Sequence, residues 1–304
     1  MTNTMTFGDV EVIRVPEWSG AFVPGLDFVP DSGEQDWKRN GDWLAPEHWE
    51  MDSGIALVAM QVWVLRSEGR TILVDTGMGN DKPRPVPVMD HRSGDFLDRL
   101  AKAGVRPEDV DVVVNTHVHA DHVGWNTRLV DDEWVPTFPN ATYLIPKADF
   151  EFFHPDAVAR NSKMPEVHAN LFEDSVAPVH QAGQATLFEG EVAIDGNLRL
   201  VPAPGHTPGS TVLRLESGED RAVFVGDLLH SPIQMVEPEY NSCFCEDAEM
   251  ARISRRRVLG WAADNTALVV PAHLRGAGGA VVARSGAKFS ITAWAPFENV
   301  QRED

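Results

Sequence analysis

Cysteine is nearly absent from this chain: Cys243 and Cys245 are the only two in 304 residues. Their C-x-C spacing is poor for a disulfide, because strand neighbours two apart fall short of bridging geometry without strain. The simple expectation is two reduced thiols in an intracellular protein; a redox or metal role is the alternative. No run of about 18 apolar residues occurs, so no spanning helix is expected. The opening Met1-Thr2-Asn3-Thr4-Met5-Thr6 has no basic stretch followed by an apolar one, so no secretory signal is expected. These absences point to the cytoplasm and away from a membrane. Positive charge is also scarce: 26 Lys and Arg face 46 Asp and Glu, a formal net charge of -20. Such a surface repels phosphodiester backbones and disfavours nucleic acid as a partner. Linkers and repeats of about 20 to 50 residues are missing too. One domain over residues 1–304 is therefore expected, large enough to bury a substantial core.

What is present is a normal hydrophobic fraction of 43% and one dense polar stretch. Asn115-Thr116-His117-Val118-His119-Ala120-Asp121-His122 puts three imidazoles and a carboxylate into six residues. Val112-Val113-Val114 before it reads as a buried strand, and Val123-Gly124-Trp125 after it as a turn. His117 and His119, two apart, point the same way on an extended backbone. Neutral imidazole and carboxylate are the ligands that a borderline cation such as zinc takes.

Three other apolar runs end in the same way. Leu198 to Val201 leads through Pro202-Ala203-Pro204-Gly205 to His206. Ala222 to Gly226 leads to Asp227, and Ala267 to Ala272 leads to His273. If these ends share one edge of the fold, seven ligand-type residues converge: His117, His119, Asp121, His122, His206, Asp227 and His273. Seven exceed one tetrahedral zinc but suit two ions with a bridging carboxylate.

On these residues the chain resembles the metallo-β-lactamase superfamily. The matching stretches are His117-Val118-His119-Ala120-Asp121-His122, Pro204-Gly205-His206-Thr207-Pro208-Gly209-Ser210, Gly226-Asp227 and Ala272-His273, with Ile72 to Gly77 upstream. The resemblance spans roughly residues 56–290. It implies an α/β chain folded as an αββα sandwich, with an extended N-terminal arm and a dinuclear site on one edge. It also implies two divalent metal ions, zinc by default. His117, His119 and His206 would hold one ion, and Asp121, His122 and His273 the other. Asp227 and a water-derived hydroxide would bridge them. Two cations bring the pKa of such a water to about 7 or below. Asp121 would pass a proton to the leaving group. Asp75, at the end of a strand, is expected to orient a ligand histidine.

The ligand set also narrows the branch. Asp227 stands where many true β-lactamases carry a cysteine or lack a bridging carboxylate. His119 stands where flavodiiron oxidoreductases have a glutamate, and persulfide dioxygenases use one iron. Quorum-quenching lactonases typically place a tyrosine three residues after the bridging aspartate; this chain has His230 there, a candidate substrate contact or pocket wall. Val225 to His230 and the aromatic arm are most similar to the methyl parathion hydrolase and lactonase-like group. The expected reaction is hydrolysis of an uncharged lactone or aryl ester, with weaker action on phosphotriesters. A glyoxalase II-like thioesterase and a β-lactamase-type hydrolase are the alternatives. A non-catalytic binding module would be expected to have lost ligands, and all seven are here.

Elsewhere the pattern predicts a strand over 10–15, then an irregular arm over 16–54 rich in Pro, Trp and Phe. Its aromatics are expected to pack on the sandwich, on a second copy in a homodimer, or against a small-molecule substrate. Hairpins are expected over 56–74, 192–201 and 211–225. Helices are expected over 95–103, from 148, within 166–187 and over 246–263. A strand is expected over 140–146, and closing strands over 280–283 and 288–294. Arg252, Arg255, Arg256 and Arg257 read as a solvated helix face, and His168 and His180 as surface residues.

Overall fold

The αββα expectation is met by two seven-stranded sheets packed face to face. The computed structural model describes residues 3–300, 302 and 303. The first sheet has the order Thr4–Phe7, Val10–Pro24, Ile55–Ser67, Arg70–Val74, Val112–Val114, Thr142–Pro146 and Ala185–Phe188. The second runs in chain order from Val192–Ala193 through Leu198–Pro202, Thr211–Ser217, Asp220–Gly226, Leu268–Pro271 and Ala280–Ser285 to Lys288–Trp294.

Alternation along the strands builds the layers. Ile72, Val74, Val112 and Val114 face Leu213, Leu215, Phe224 and Val270 in the core between the sheets. Leu73 and Val113 point the other way, into a core with Phe96 and Leu100 of the helix Phe96–Lys102. Val212, Val223 and Val269 pack outward on Val258, Leu259 and Ala262 of the helix Ala248–Asp264. That helix begins with Asp247 accepting from the Met250 N–H, an N-cap that satisfies one of the free amides of the first turn.

Strand direction brings the ligands together. Arg70–Val74 and Val112–Val114 are parallel, so Asp75 and the 115–122 loop leave at the same edge. Asp220–Gly226 and Leu268–Pro271 are also parallel. Leu198–Pro202 is two antiparallel steps from Asp220–Gly226, so it too runs the same way. Gly226 has φ +49, and a Cβ there would lie 2.6 Å from Thr116 Oγ1. Only glycine lets the Asp227 turn approach the 115–122 loop this closely.

The arm departs from expectation. The first strand does not stop at 15; it runs to Pro24, paired with Ile55–Ser67. Register shifts between Pro16 and Trp18, and between Ala21 and Pro24, erase the period-two signal, as bulges do. Residues 25–44 then form three short helices. Trp37 and Trp49 are buried against one another at 5.8 Å. A hairpin of Thr127–Val130 and Glu133–Pro136 was not foreseen. Its turn is Asp131-Asp132, both with positive φ. No helix among the described residues is long and apolar enough to cross a membrane.

Candidate metal centre

Seven side chains meet at this edge in two groups. In one, His117 Nε2 and His206 Nε2 lie 3.1 and 3.0 Å from His119 Nδ1. Asp227 Oδ2 is 3.4 Å from His206 Nε2 and 3.8 Å from His117 Nε2. In the other, His122 Nε2 and His273 Nε2 are 3.3 Å apart. Asp121 Oδ2 lies 3.8 and 3.4 Å from them, and Asp227 Oδ1 lies 3.1 and 3.0 Å from them. Asp227 thus gives one oxygen to each group. All seven residues read from the sequence are here, divided as His117, His119, His206 and Asp227, and as Asp121, His122 and His273.

The far ring nitrogens are held from behind. His122 Nδ1 is 2.9 Å from Asp75 Oδ2, His117 Nδ1 is 3.1 Å from Thr116 Oγ1, and His273 Nδ1 is 3.1 Å from Ala59 O. With Nδ1 donating in each case, Nε2 of each ring faces the centre. Asp75 also accepts from the Thr116 N–H at 2.7 Å and hydroxyl at 2.8 Å. It therefore stands directly behind His122.

The donor set fits two divalent cations of intermediate softness. Asp227 Oδ1 and His119 Nε2 are buried with no hydrogen bond of acceptable geometry, a cost the fold would not otherwise carry. Burial opposes charge at His117, His119 and His206, whose pKa values lie well below the usual histidine range. At His122 burial works the same way, but Asp227, Asp121 and Asp75 outweigh it and lift the pKa well above that range. Burial also opposes charge on Asp227, yet His122, His273 and His230 hold it well below the carboxylate range. The carboxylates here require compensating positive charge.

Several supporting residues escaped the sequence reading. Asp149, buried, accepts from Val118 N–H at 2.9 Å, Thr207 Oγ1 at 2.8 Å and Gly209 N–H at 2.6 Å. It ties the 117–122 loop to the 206–210 loop. Burial pushes its pKa up to about 6. Glu17 takes the N–H groups of Met78 and Gly79 and the Trp125 indole. Arg255 is buried rather than solvated. It donates to Leu228 O, Pro238 O and Asn241 Oδ1, pinning the chain just after Asp227. Arg256 and Arg257 are exposed and Arg252 half-buried, as a solvated face requires, and His180 is exposed. His168 is not a surface residue; it is buried and stacked on His119 at 5.0 Å. Cys245, buried, lies 4.0 Å from His206 Nδ1, while Cys243 is exposed.

A pocket opens onto the centre, floored by His119, Asp121, Asp227 and His273. It encloses about 690 Å³ of empty space, its open mouth included. Phe22 and Phe28 of the arm, Met60, Met89, Met164 and Phe244 supply apolar walls. Arg84 also lines it, but its guanidinium grips Asp174 with two bonds, at 2.6 and 2.7 Å. His230 lines it with Nε2 3.0 Å from Asp227 Oδ2.

Residues 59–273 match the model of the metallo-beta-lactamase superfamily. The chain belongs to that superfamily. Among superfamily relatives it is similar to an N-acyl homoserine lactonase from a Bacillus species, 23% identical over 185 residues. That match covers 56% of this chain and 64% of the relative. It is also similar to the N-acyl homoserine lactonase AttM of Agrobacterium fabrum, 30% identical over 136 residues, 44% of this chain and 46% of that one. Both matches thus span less than two thirds of the curated relatives. Among solved structures, the fold is shared with AidC, described as a dizinc quorum-quenching lactonase in complex with a product. The TM-score is 0.77 at 22% identity, over 97% of this chain and 98% of that one. The hydrolase AbOPH of the beta lactamase superfamily gives 0.78 at 21% identity, over 100% and 99%.

Proposed function

We propose that this chain is a dinuclear metal-dependent hydrolase of uncharged lactones carrying an apolar group. His117, His119 and His206 would hold one divalent ion, and Asp121, His122 and His273 the other. Asp227 would serve both, and Asp75 fixes the His122 ring. When bound, the two ions, zinc by preference of the donor set, supply Lewis acidity and make water nucleophilic at neutral pH. Asp121 sits at the pocket floor and moves a proton to the departing alkoxide. His230 contacts substrate from the wall.

The observation that carries the substrate class is the pocket lining. Its walls are mainly apolar, and its one guanidinium is committed to Asp174. No free cation among the pocket-lining side chains awaits a charged substrate such as a glutathione thioester. The centre likewise offers no dedicated strong acid for an amine leaving group, which disfavours β-lactams. Aryl esters and phosphotriesters, with good leaving groups, are expected as weaker substrates. Relatives named as N-acyl homoserine lactonases support the lactone reading.

The test is kcat/KM with zinc-replete protein on an N-acyl homoserine lactone, a γ-lactone, an aryl ester, a phosphotriester, a glutathione thioester and a β-lactam. The lactones should lead. A thioester or β-lactam turned over 100-fold faster than every lactone and ester would overturn the proposal.

A further inference from the structure

Two stretches of chain that carry ligand histidines meet on one buried carboxylate. Asp149 lies in the first turn of the short helix Lys147–Phe152, which follows the strand Thr142–Pro146. That strand is parallel to Val112–Val114, so the helix and the 115–122 loop leave the sheet at the same edge. Asp149 is fully buried. Its Oδ2 accepts from the Val118 N–H at 2.9 Å and from the Thr207 hydroxyl at 2.8 Å. Its Oδ1 accepts from the Gly209 N–H at 2.6 Å. A Cβ at Gly209 would lie 2.7 Å from Oδ1, so the absence of a side chain there permits the approach.

These bonds fall beside the histidines of one group. Val118 separates His117 from His119, and Thr207 follows His206. The far end of the 117–122 loop has a different anchor. The His122 carbonyl accepts from the Thr76 N–H at 2.7 Å and from the Thr76 hydroxyl at 3.1 Å, and Asp75 holds the His122 ring. His273 Nδ1 rests on Ala59 O. Neither anchor involves Asp149.

The charge of Asp149 points the same way. Burial raises its pKa, and only the three hydrogen bonds oppose that rise; no cationic side chain contributes. A buried carboxylate without opposite charge is costly. A divalent ion at His117, His119 and His206 would bring positive charge to the group whose chain neighbours Asp149 already holds.

We propose that Asp149 is a positioning residue that sets the affinity of one ion of the pair, the ion at His117, His119 and His206. The ion at Asp121, His122 and His273 depends instead on Asp75, Thr76 and Ala59. The inference rests on the dinuclear reading.

The experiment measures zinc retained per chain, by elemental analysis, after dialysis against a graded series of chelator concentrations. It compares zinc-loaded wild type, Asp149→Asn, Thr207→Val, Asp121→Ala and the double variant Asp149→Asn with Asp121→Ala. Wild type should hold two zinc ions. Asp149→Asn should release one at about tenfold to 100-fold less chelator, the scale of losing a group that orients a ligand. Its other zinc should leave at near wild-type strength. Thr207→Val removes one of the three bonds and keeps the side-chain shape, so it should shift one zinc by less. Asp121→Ala marks the other ion. The double variant should therefore retain no zinc where each single variant retains one. Equal weakening of both ions by Asp149→Asn would make Asp149 a general support and overturn the proposal. A double variant that still holds one zinc there would place both residues on the same ion and overturn it, as would zinc release unchanged from wild type. If Asp149→Asn does not unfold cooperatively in urea, Thr207→Val decides by the same criterion. Wild type holding a single zinc would instead defeat the dinuclear reading, and this inference with it.

Discussion

Asp227 Oδ1 lies 3.0 Å from His273 Nε2, yet the oxygen makes no hydrogen bond of acceptable geometry. The reason is visible on the far side of the ring, where His273 Nδ1 meets Ala59 O. With that nitrogen donating, Nε2 faces the carboxylate; burial opposes charge on the ring, but Asp227 and Asp121 raise its pKa. A divalent cation between ring and carboxylate would answer the same demand for positive charge.

Replacing Asp227 removes the side chain that, among the described residues, faces both groups. Asp227→Ala should lose at least one metal per chain by elemental analysis. Lactone kcat/KM should fall by about 100-fold or more, beyond the effect of removing a supporting partner. Retention of both metals and near-normal turnover would mean that Asp227 is not the bridge.

Asp174 lies within ion-pair distance of two buried side chains, Lys82 and Arg84. Arg84 reaches it at 2.6 Å and Lys82 at 3.6 Å, with all three side chains buried. Burial pushes Lys82 down to about 7. Asp174→Asn leaves the guanidinium uncompensated and should cost about 3–5 kcal/mol in urea unfolding. It should also loosen the wall that Arg84, Val86 and Met89 give the pocket. A stability change under about 1 kcal/mol, on the scale of an exposed pair, would show that the pair carries little.

Glu17 sets a pH dependence away from the metals. Burial pushes its pKa up to about 7, against the pull of Met78, Trp125 and Gly79. A carboxyl raised in the folded state binds more protons there than in the unfolded chain. Its contribution to stability is full below about pH 4.3, the unfolded value, and is lost as pH rises through about 7. The loss is on the order of 3 kcal/mol. Glu17→Gln is less stable at low pH, because its amide NH₂ faces N–H donors. The gap between wild type and variant should narrow as pH rises from about 4.5 to 7. A gap that widened over this range would reverse the assignment.

The candidate metal centre was legible because its histidines and aspartates come just after strands. An apolar run ending in histidine or aspartate is a local signal, and parallel pairing does the rest. The groups behind the ligands divide by locality. Asp75 could be found because it too ends a strand. Asp149 could not, since its three partners are 31 to 60 residues away in sequence. Strand residues 16–24 were hidden by bulges that reset alternation. Arg255 looked solvated beside three other arginines, but the helix turns it inward to carbonyls that only the fold supplies. His168 lies where no period marks a face, and its burial depends on His119 and Phe153. The pocket was the least legible part, because its walls come from the arm, the 84–89 loop and the 164–168 turn, distant in sequence and short of regular structure.

Stoichiometric zinc return to metal-stripped protein, followed by lactone hydrolysis, tests the central claim most directly. Activity should rise with added zinc and level off at two equivalents per chain. Full activity at one equivalent, or activity indifferent to zinc, would contradict it.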